Sequence, residues 1–253
     1  MSIAWLTPRW PAPASVRALS TLRAGGVSTG RYASLNLGDH VRDAPTAVAE
    51  NRRRLRAAAA LPDEPVWLTQ VHGVRIADLD SAPEDLAGVP PVADGALTRV
   101  PGRICAILTA DCLPVLFASA AGNAVAAAHA GWRGLAGGVI EAAVSALNVA
   151  PASLLVWLGP AIGPAHFEVG SEVREQFVRD DPGARTAFVP NAHGRFMADL
   201  SRLARRRLER LGITRIYGSD ECTHQQAERY FSYRRDGDTG RQASLVWLEP
   251  QSR

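Results

Sequence analysis

The chain has 253 residues, of which 47% are hydrophobic, and its formal net charge is +3. This composition suits a protein with a substantial core and excludes an intrinsically disordered chain. All 28 basic residues are arginine, which excludes Schiff-base chemistry at a lysine and triphosphate binding by a P-loop lysine. The small net charge gives no reason to expect a nucleic-acid partner.

Cysteine content and the N-terminal sequence indicate the compartment. The three cysteines lie far apart in the sequence, which argues against a disulfide framework. The N-terminal residues lack a basic region followed by an apolar stretch, so no secretion signal is predicted. No apolar run reaches the length of a membrane span. We therefore expect a cytoplasmic protein with no membrane partner.

Short apolar segments that predict β-strands alternate with helical patterns. Strands are predicted at 66–71, 74–79, 104–109, 114–119, 124–129, 154–158, 213–217 and 243–248. Helices are predicted at 46–60, 134–147 and 200–211, and a Pro-rich loop at 81–92. Several strands are joined by loops too short for a crossover helix, so the sheets must be partly antiparallel. We expect an α+β fold in which residues 1–253 form a single-domain α/β sandwich with mixed, partly antiparallel sheets.

A predicted β-hairpin brings a cysteine and a histidine together. The strands 114–119 and 124–129 flank a Gly-Asn turn signal, so they are expected to pair as a hairpin. Cys112 then lies across from roughly His129 at the open end. Cross-strand Cβ atoms lie about 4.5–5.5 Å apart, which suits a thiolate and an imidazole that share one metal ion.

A third ligand would complete such a site. The chain has six histidines, namely His40, His72, His129, His166, His193 and His224. Among them His72 interrupts two β-like segments and precedes Gly73, which permits close approach of a ligand. A His72–Cys112–His129 set with an open fourth position is typical of catalytic zinc. The alternatives are a buried thiol beside ordinary core histidines, and a Cys112–His129 thiolate–imidazolium nucleophile.

Two further segments are candidates for ligand binding. A glycine-rich run with Arg133 joins a predicted strand to a helix at 130–138, where free N–H groups could hold an anion. Tight helix–sheet packing would explain the same glycines. The run 222–244 places tyrosine and phenylalanine beside Arg234 and Arg235, which could hold a base and a phosphate, or serve as core aromatics with solvated arginines. A turn-rich segment at 23–40 suggests a structured functional loop.

Six sequence blocks occur in an order that resembles one known family. They are T-Q-V-H-G, A-D-G-A-L-T, T-A-D-C-L-P-V, A-A-H-A-G-W-R-G, G-P-A-I-G-P and F-S-Y-R-R-D-G-x-T-G-R. Together they are similar to the bacterial purine nucleoside phosphorylases formerly labelled multicopper polyphenol oxidases or laccase-domain proteins, some of which are linked to peptidoglycan editing. The resemblance runs from about residue 20 to 249.

This resemblance implies a single-domain zinc enzyme, with His72, Cys112 and His129 as both the metal ligands and the catalytic residues. It implies phosphorolysis of adenosine, inosine, guanosine or methylthioadenosine to free base and ribose 1-phosphate. Adenosine deamination is an implied second activity, and copper an alternative metal. Purine nucleosides and phosphate are then the partners, and we expect Arg133, with Arg23 or Arg235, to hold the phosphate.

Three other functions remain open at this point. A zinc hydrolase would use metal-bound water to deaminate adenosine, with Asp111 as the nearest carboxylate for proton transfer. A copper-dependent polyphenol oxidase is disfavoured by the scattered histidines and the two methionines. A peptidoglycan quality-control factor would have this fold but would catalyse no reaction.

Overall fold

A computed structural model describes residues 2–81, 89–218 and 220–250. Within them the strands are β1 Trp5–Leu6, β2 Val16–Thr21, β3 Ile76–Asp78, β4 Gly95–Thr98, β5 Ile104–Thr109, β6 Leu113–Ser119, β7 Val125–Ala130, β8 Leu154–Leu158, β9 Glu168–Val169, β10 Phe188–Pro190, β11 Phe196–Ala198, β12 Ile216–Gly218 and β13 Gln242–Leu248. The α-helices are α1 Pro45–Ala58, α2 Trp132–Gly137, α3 Val139–Leu147, α4 Ser171–Asp180, α5 Leu200–Arg210 and α6 Tyr233–Asp236. Short 3-10 helices lie at Gly30–Tyr32, Pro151–Ser153 and Pro182–Ala187.

Two sheets form the centre of the fold. One is antiparallel with the strand order β1-β2-β13-β5, and the other is mixed with the order β12-β8-β6-β7-β4-β3. A small antiparallel sheet, β10-β11-β9, shares no strand with either, but its buried residues belong to the same core as one face of the mixed sheet. The predicted α+β sandwich with mixed, partly antiparallel sheets is confirmed.

The sheets pack face to face and helices cover their outer faces. Alternate residues of β6 show this arrangement: Leu116 joins the core between the sheets, whereas Val115 and Phe117 join the core beneath the helices. On the far side of the antiparallel sheet, Leu55 of α1 packs into a third cluster of buried residues. Because the central strands are buried on both faces, their sequences are nearly continuous apolar runs.

The predicted strand at 66–71 is wrong. Val66 and Thr69 make only isolated bridges, and the amide of Gln70 bonds both the N–H and the carbonyl of Leu108 at 2.8 and 2.9 Å. This side chain takes the place of a backbone partner. The chain is therefore free to turn at His72 instead of continuing as a strand.

Other boundaries differ by smaller amounts. The hairpin register pairs His129 with Pro114, so Cys112 lies two residues beyond the predicted position opposite His129. The predicted helix at 134–147 is two helices, α2 and α3, which meet at Gly138. The strand predicted at 213–217 is displaced to Ile216–Gly218.

Part of the predicted Pro-rich loop, residues 82–88, lies outside the described residues. Among the residues that the structure does describe, none of the helices has the length and hydropathy that crossing a membrane requires.

The junction between α2 and α3 yields a stability prediction. Gly138 has φ +100°, a left-handed conformation that an L-residue with a side chain adopts only with strain. Gly138→Ala should lower the free energy of unfolding in urea by about 1–2 kcal/mol. The neighbouring Gly137→Ala is the matched control, because Gly137 lies within α2 and a Cβ there would meet only the exposed Val74 side chain, at 3.1 Å. Equal losses in the two variants would contradict the backbone explanation.

Candidate active site

The sequence-predicted trio of histidine and cysteine side chains comes together in the structure. One ligand atom from each of His72, Cys112 and His129 lies within 4.8 Å of the others. Cys112 Sγ is 3.8 Å from His72 Nε2, and the two imidazole rings meet edge to face with centroids 4.7 Å apart. This is the only such group of three within residues 2–81, 89–218 and 220–250. The three side chains could hold one metal ion.

A buried carboxylate, Asp94, holds two of these residues in place. It has no exposed surface, and its Oδ1 lies 2.9 Å from His129 Nδ1. The same carboxylate accepts hydrogen bonds from the backbone N–H groups of Val71, His72 and Gly73 at 3.2, 2.8 and 2.7 Å. Asp94 therefore fixes the His72 turn and the orientation of the His129 ring together. His129 Nε2 is then left to face Cys112 and any metal ion held between them.

A second aspartate, Asp111, anchors the cysteine side of the site. Its carboxylate accepts a hydrogen bond from the Thr223 hydroxyl at 2.7 Å and another from the Arg234 backbone N–H at 2.6 Å. Asp111 has φ +97° and His72 has φ +61°, so residues with side chains occupy the left-handed region at both turns. Such strain persists only where surrounding contacts enforce it, and it is concentrated at functional sites.

Two glycines let the three ligand segments approach one another. A Cβ on Gly131 would lie 2.8 Å from Cys112 Sγ and 3.0 Å from His72 Cδ2. A Cβ on Gly134 would lie 2.9 Å from the carbonyl oxygen of Gly73. Close packing therefore accounts for these two glycines of the predicted anion-binding run. The helix that follows Gly131, α2, has only six residues, so its N-terminus gives no separate evidence for an anion site.

The site polarises its own thiol. Burial of the Cys112 thiol acts to raise its pKa, but the neighbouring His129 and His72 imidazoles outweigh burial and lower the pKa to about 6. Burial of His129 acts to lower its pKa, but the Cys112 thiolate and Asp94 raise it to about 9. For Asp94, burial acts against ionisation, yet the hydrogen bond from His129 keeps the pKa below its ordinary value. The cysteine is thus held as a thiolate, the form that binds metals.

A cavity of about 490 Å³ opens above the three ligand residues. Its walls are formed largely by residues that can hydrogen-bond or stack against a ligand, among them His40, Trp132, Arg133, Tyr233, Arg234 and Arg241. A concave site with a few convergent polar groups is the usual form of a small-molecule pocket.

Comparison with known proteins identifies the family. The model of the family described as multi-copper polyphenol oxidoreductase laccase matches residues 17–249. The chain belongs to this family. Within it, the chain is 56% identical over 247 residues to a purine nucleoside phosphorylase of Pseudomonas aeruginosa, covering 97% of this chain and 99% of that one. It is 52% identical to the purine nucleoside phosphorylase YfiH of Escherichia coli, covering 96% and 98%.

Solved structures share the fold of this chain over nearly its whole length. A Neisseria meningitidis protein matches with a TM-score of 0.92 and 48% identity, covering 97% of this chain and 99% of that chain. YlmD from Geobacillus stearothermophilus matches with a TM-score of 0.90 and 34% identity, covering 97% and 96%.

Only one of the three arginines predicted to hold phosphate lines the pocket of this laccase-domain protein. Arg133 does so, with its exposed guanidinium 4.4 Å from the centroid of the Trp132 ring. Arg23 is not among the lining residues, and it donates to the backbone carbonyls of Ala33 and Ala227.

Arg235 is likewise absent from the pocket lining. Its guanidinium donates to the carbonyls of Thr223, His224 and Tyr230 and pairs with Asp236. These contacts use the Arg235 donors to hold the backbone of the C-terminal segment. Arg23 likewise uses its donors on the backbone, where it joins Ala33 to Ala227.

The aromatic residues of the C-terminal run separate into two groups. Tyr230 and Phe231 are fully buried, whereas Tyr233 is 61% exposed and lines the pocket beside Arg234. Core packing therefore explains Tyr230 and Phe231.

The sequence-based predictions gave no role to Asp94, although this residue lies within the A-D-G-A-L-T block of the family resemblance.

The position of Asp94 generates a prediction about metal affinity. Asp94→Asn should weaken zinc binding about 10- to 100-fold, because the amide no longer offers His129 Nδ1 an ionised acceptor. Competition with a chromogenic chelator measures this affinity. Asp80→Asn is the control, since Asp80 is also a hydrogen-bonded carboxylate but binds Thr98 and Arg99 outside the pocket. A zinc affinity of Asp94→Asn within about twofold of wild type would contradict the positioning role.

Proposed function

We propose that the protein is a zinc-dependent purine nucleoside phosphorylase. It cleaves adenosine, inosine, guanosine or methylthioadenosine with phosphate, and releases the free base and a ribose 1-phosphate. One observation carries the proposal: His72, Cys112 and His129 converge below an arginine-lined pocket. The match of nearly the whole chain to proteins named purine nucleoside phosphorylase supports it.

The donor set suits zinc. A thiolate and two imidazoles are ligands that zinc prefers, and His129 would release its proton when the ion binds. Three protein ligands leave a fourth position open for water or substrate. His72, Cys112 and His129 would hold the ion. When bound, zinc supplies Lewis-acid polarisation of an oxygen or nitrogen placed at its open position. Copper also binds imidazole and thiolate, so metal analysis is part of the test.

The reaction itself needs positioning and charge from the chain. A phosphate oxygen attacks C1′ of the ribose, the bond from C1′ to the purine nitrogen breaks, and the purine leaves with the electron pair. Arg133 places a positive charge at the pocket wall for the phosphate. The indole of Trp132 and the exposed ring of Tyr233 offer stacking surfaces for a purine.

Adenosine deamination is proposed as a secondary activity only. A deaminase needs a carboxylate that carries protons to and from the attacking water. Both oxygens of Asp111 already accept hydrogen bonds, from Thr223 and from the Arg234 N–H. The carboxylate of Asp94 is buried and bound to His129. These contacts favour phosphorolysis over hydrolysis as the main chemistry.

The test is the dependence of nucleoside cleavage on phosphate. Purified zinc-loaded protein should release base and ribose 1-phosphate from adenosine and inosine in phosphate buffer, and release neither in a phosphate-free buffer. His72→Ala should abolish the activity, because the metal site loses a ligand. Removal of zinc by a chelator should do the same, and added zinc should restore it. Absence of ribose 1-phosphate with every purine nucleoside tested would refute the proposal.

The deaminase activity has its own discriminating measurement. Inosine formed from adenosine without phosphate, and lost in an Asp111→Asn variant that keeps its phosphorolysis, would make Asp111 the proton carrier of a hydrolase. We expect instead that Asp111→Asn reduces phosphorolysis and deamination together, because Asp111 holds the turn that carries Cys112.

A further inference from the structure

We infer that Arg241 is the principal anion-binding residue of the pocket, and that it holds the phosphate co-substrate. This inference rests on the proposed phosphorolysis for the identity of the anion. Arg241 immediately precedes β13 and lines the same cavity as the three ligand residues. Phosphate is the one anionic reactant of that chemistry, since the nucleosides are neutral.

The guanidinium of Arg241 is only partly used within the protein. Its Nη1 donates to the carbonyls of Thr239 and Gly240 at 2.8 and 3.0 Å. Neither Nε nor Nη2 has a hydrogen-bond partner in the described part of the chain, and no carboxylate there forms an ion pair with this residue. A half-buried cation with two unused donor nitrogens is unfavourable until an anion binds it.

The electrostatic surroundings fit an anion site. Burial lowers the pKa of Arg241, and the acidic groups Cys112, Asp238 and Asp111 only partly oppose this effect. An arginine stays protonated under such conditions. Its charge is therefore poorly solvated, and a ligand that supplies negative charge at the pocket gains more from it than from a hydrated surface arginine.

The loop at 36–38 fixes where the guanidinium points. The amide oxygen of the buried Asn36 accepts hydrogen bonds from the backbone N–H groups of Arg241 and Gly38, at 2.8 and 3.0 Å. The Leu37 N–H donates to the carbonyl of Arg241 at 3.1 Å. A Cβ on Gly38 would lie 2.7 Å from Arg241 Cγ, so the aliphatic part of the arginine lies directly against this loop. The side chain is thus preorganised for binding.

The other arginines of the pocket are less suited to this role. Arg133 is exposed and stacks on Trp132, so water and salt screen its charge. Arg234 donates through Nη1 to the carbonyl of Glu168, and its guanidinium lies over the Phe167 ring. Arg241 combines partial burial, a fixed stem and unused donors. We therefore expect Arg133 and Arg234 to contribute less than Arg241 to phosphate affinity.

The experiment compares phosphate and nucleoside kinetics in zinc-loaded Arg241→Gln and wild-type protein. Loss of two charge-assisted hydrogen bonds should raise the KM for phosphate about 10- to 100-fold. The KM for inosine should stay within about twofold, because the nucleoside does not use this charge. Arg56→Gln is the matched control, since Arg56 is an exposed arginine of α1 outside this cavity.

A second variant tests the positioning and guards against misfolding of the first. Gly38→Ala keeps the arginine but crowds its Cγ, so the KM for phosphate should rise by a smaller factor, about 3- to 10-fold. Thermal unfolding of both variants shows whether the fold is retained. If Arg241→Gln does not fold, Arg241→Lys replaces it, because the lysine keeps the charge but loses the fork-shaped pair of donors.

Titration calorimetry with inorganic phosphate separates this inference from the proposed function. Phosphate binding that is lost in Arg241→Gln supports the inference even if wild type cleaves no nucleoside, in which case the proposed function alone fails. Phosphate affinity and KM within about twofold of wild type in folded Arg241→Gln would overturn the inference. It would also be overturned if zinc-loaded wild type bound no phosphate.

Discussion

The arrangement of the site depends on one buried carboxylate. Asp94 sits immediately before β4 and accepts hydrogen bonds from three successive backbone N–H groups and from one imidazole. The loop that carries His72 has no regular strand to support it, so these bonds take over that role. The same group sets which nitrogen of His129 would face a metal. One ionised side chain thus aligns two ligands that are 57 positions apart in numbering, from His72 to His129.

The functional residues of the pocket lie at the ends of strands in the two central sheets. β6 and β7 deliver Cys112 and His129 at one end of the mixed sheet, while the antiparallel sheet delivers Arg241 just before β13. Two of the three proposed metal ligands are therefore positioned by one sheet, and the proposed phosphate contact by the other. The face-to-face packing of the sheets fixes the distance between these two chemical functions. A rigid scaffold of this kind can hold a metal and an anion at a constant separation.

Local patterns predicted much of this structure, and long-range pairing explains what they missed. The apolar runs of β5 and β8 and the hairpin of β6 and β7 follow from burial, because strands covered on both faces are continuously apolar. The sequence indicates His72 as the third candidate ligand because it interrupts two β-like segments and precedes Gly73. Asp94 and Arg241 could not be assigned in the same way. Their roles come from partners far along the chain, His129 and Asn36, and no local periodicity encodes such contacts.

The place of β13 in its sheet has a consequence for biosynthesis. This strand comes late in the chain, yet it lies between β2 and β5 and joins them into one sheet. Chains are made from the N-terminus, and sheets that join distant segments form only when the last segment is available. The sheet therefore cannot be completed, and Arg241 cannot take its place in the pocket, on a nascent chain that lacks β13. A chain that ends before Arg241 would carry His72, Cys112 and His129 but would lack the proposed phosphate contact.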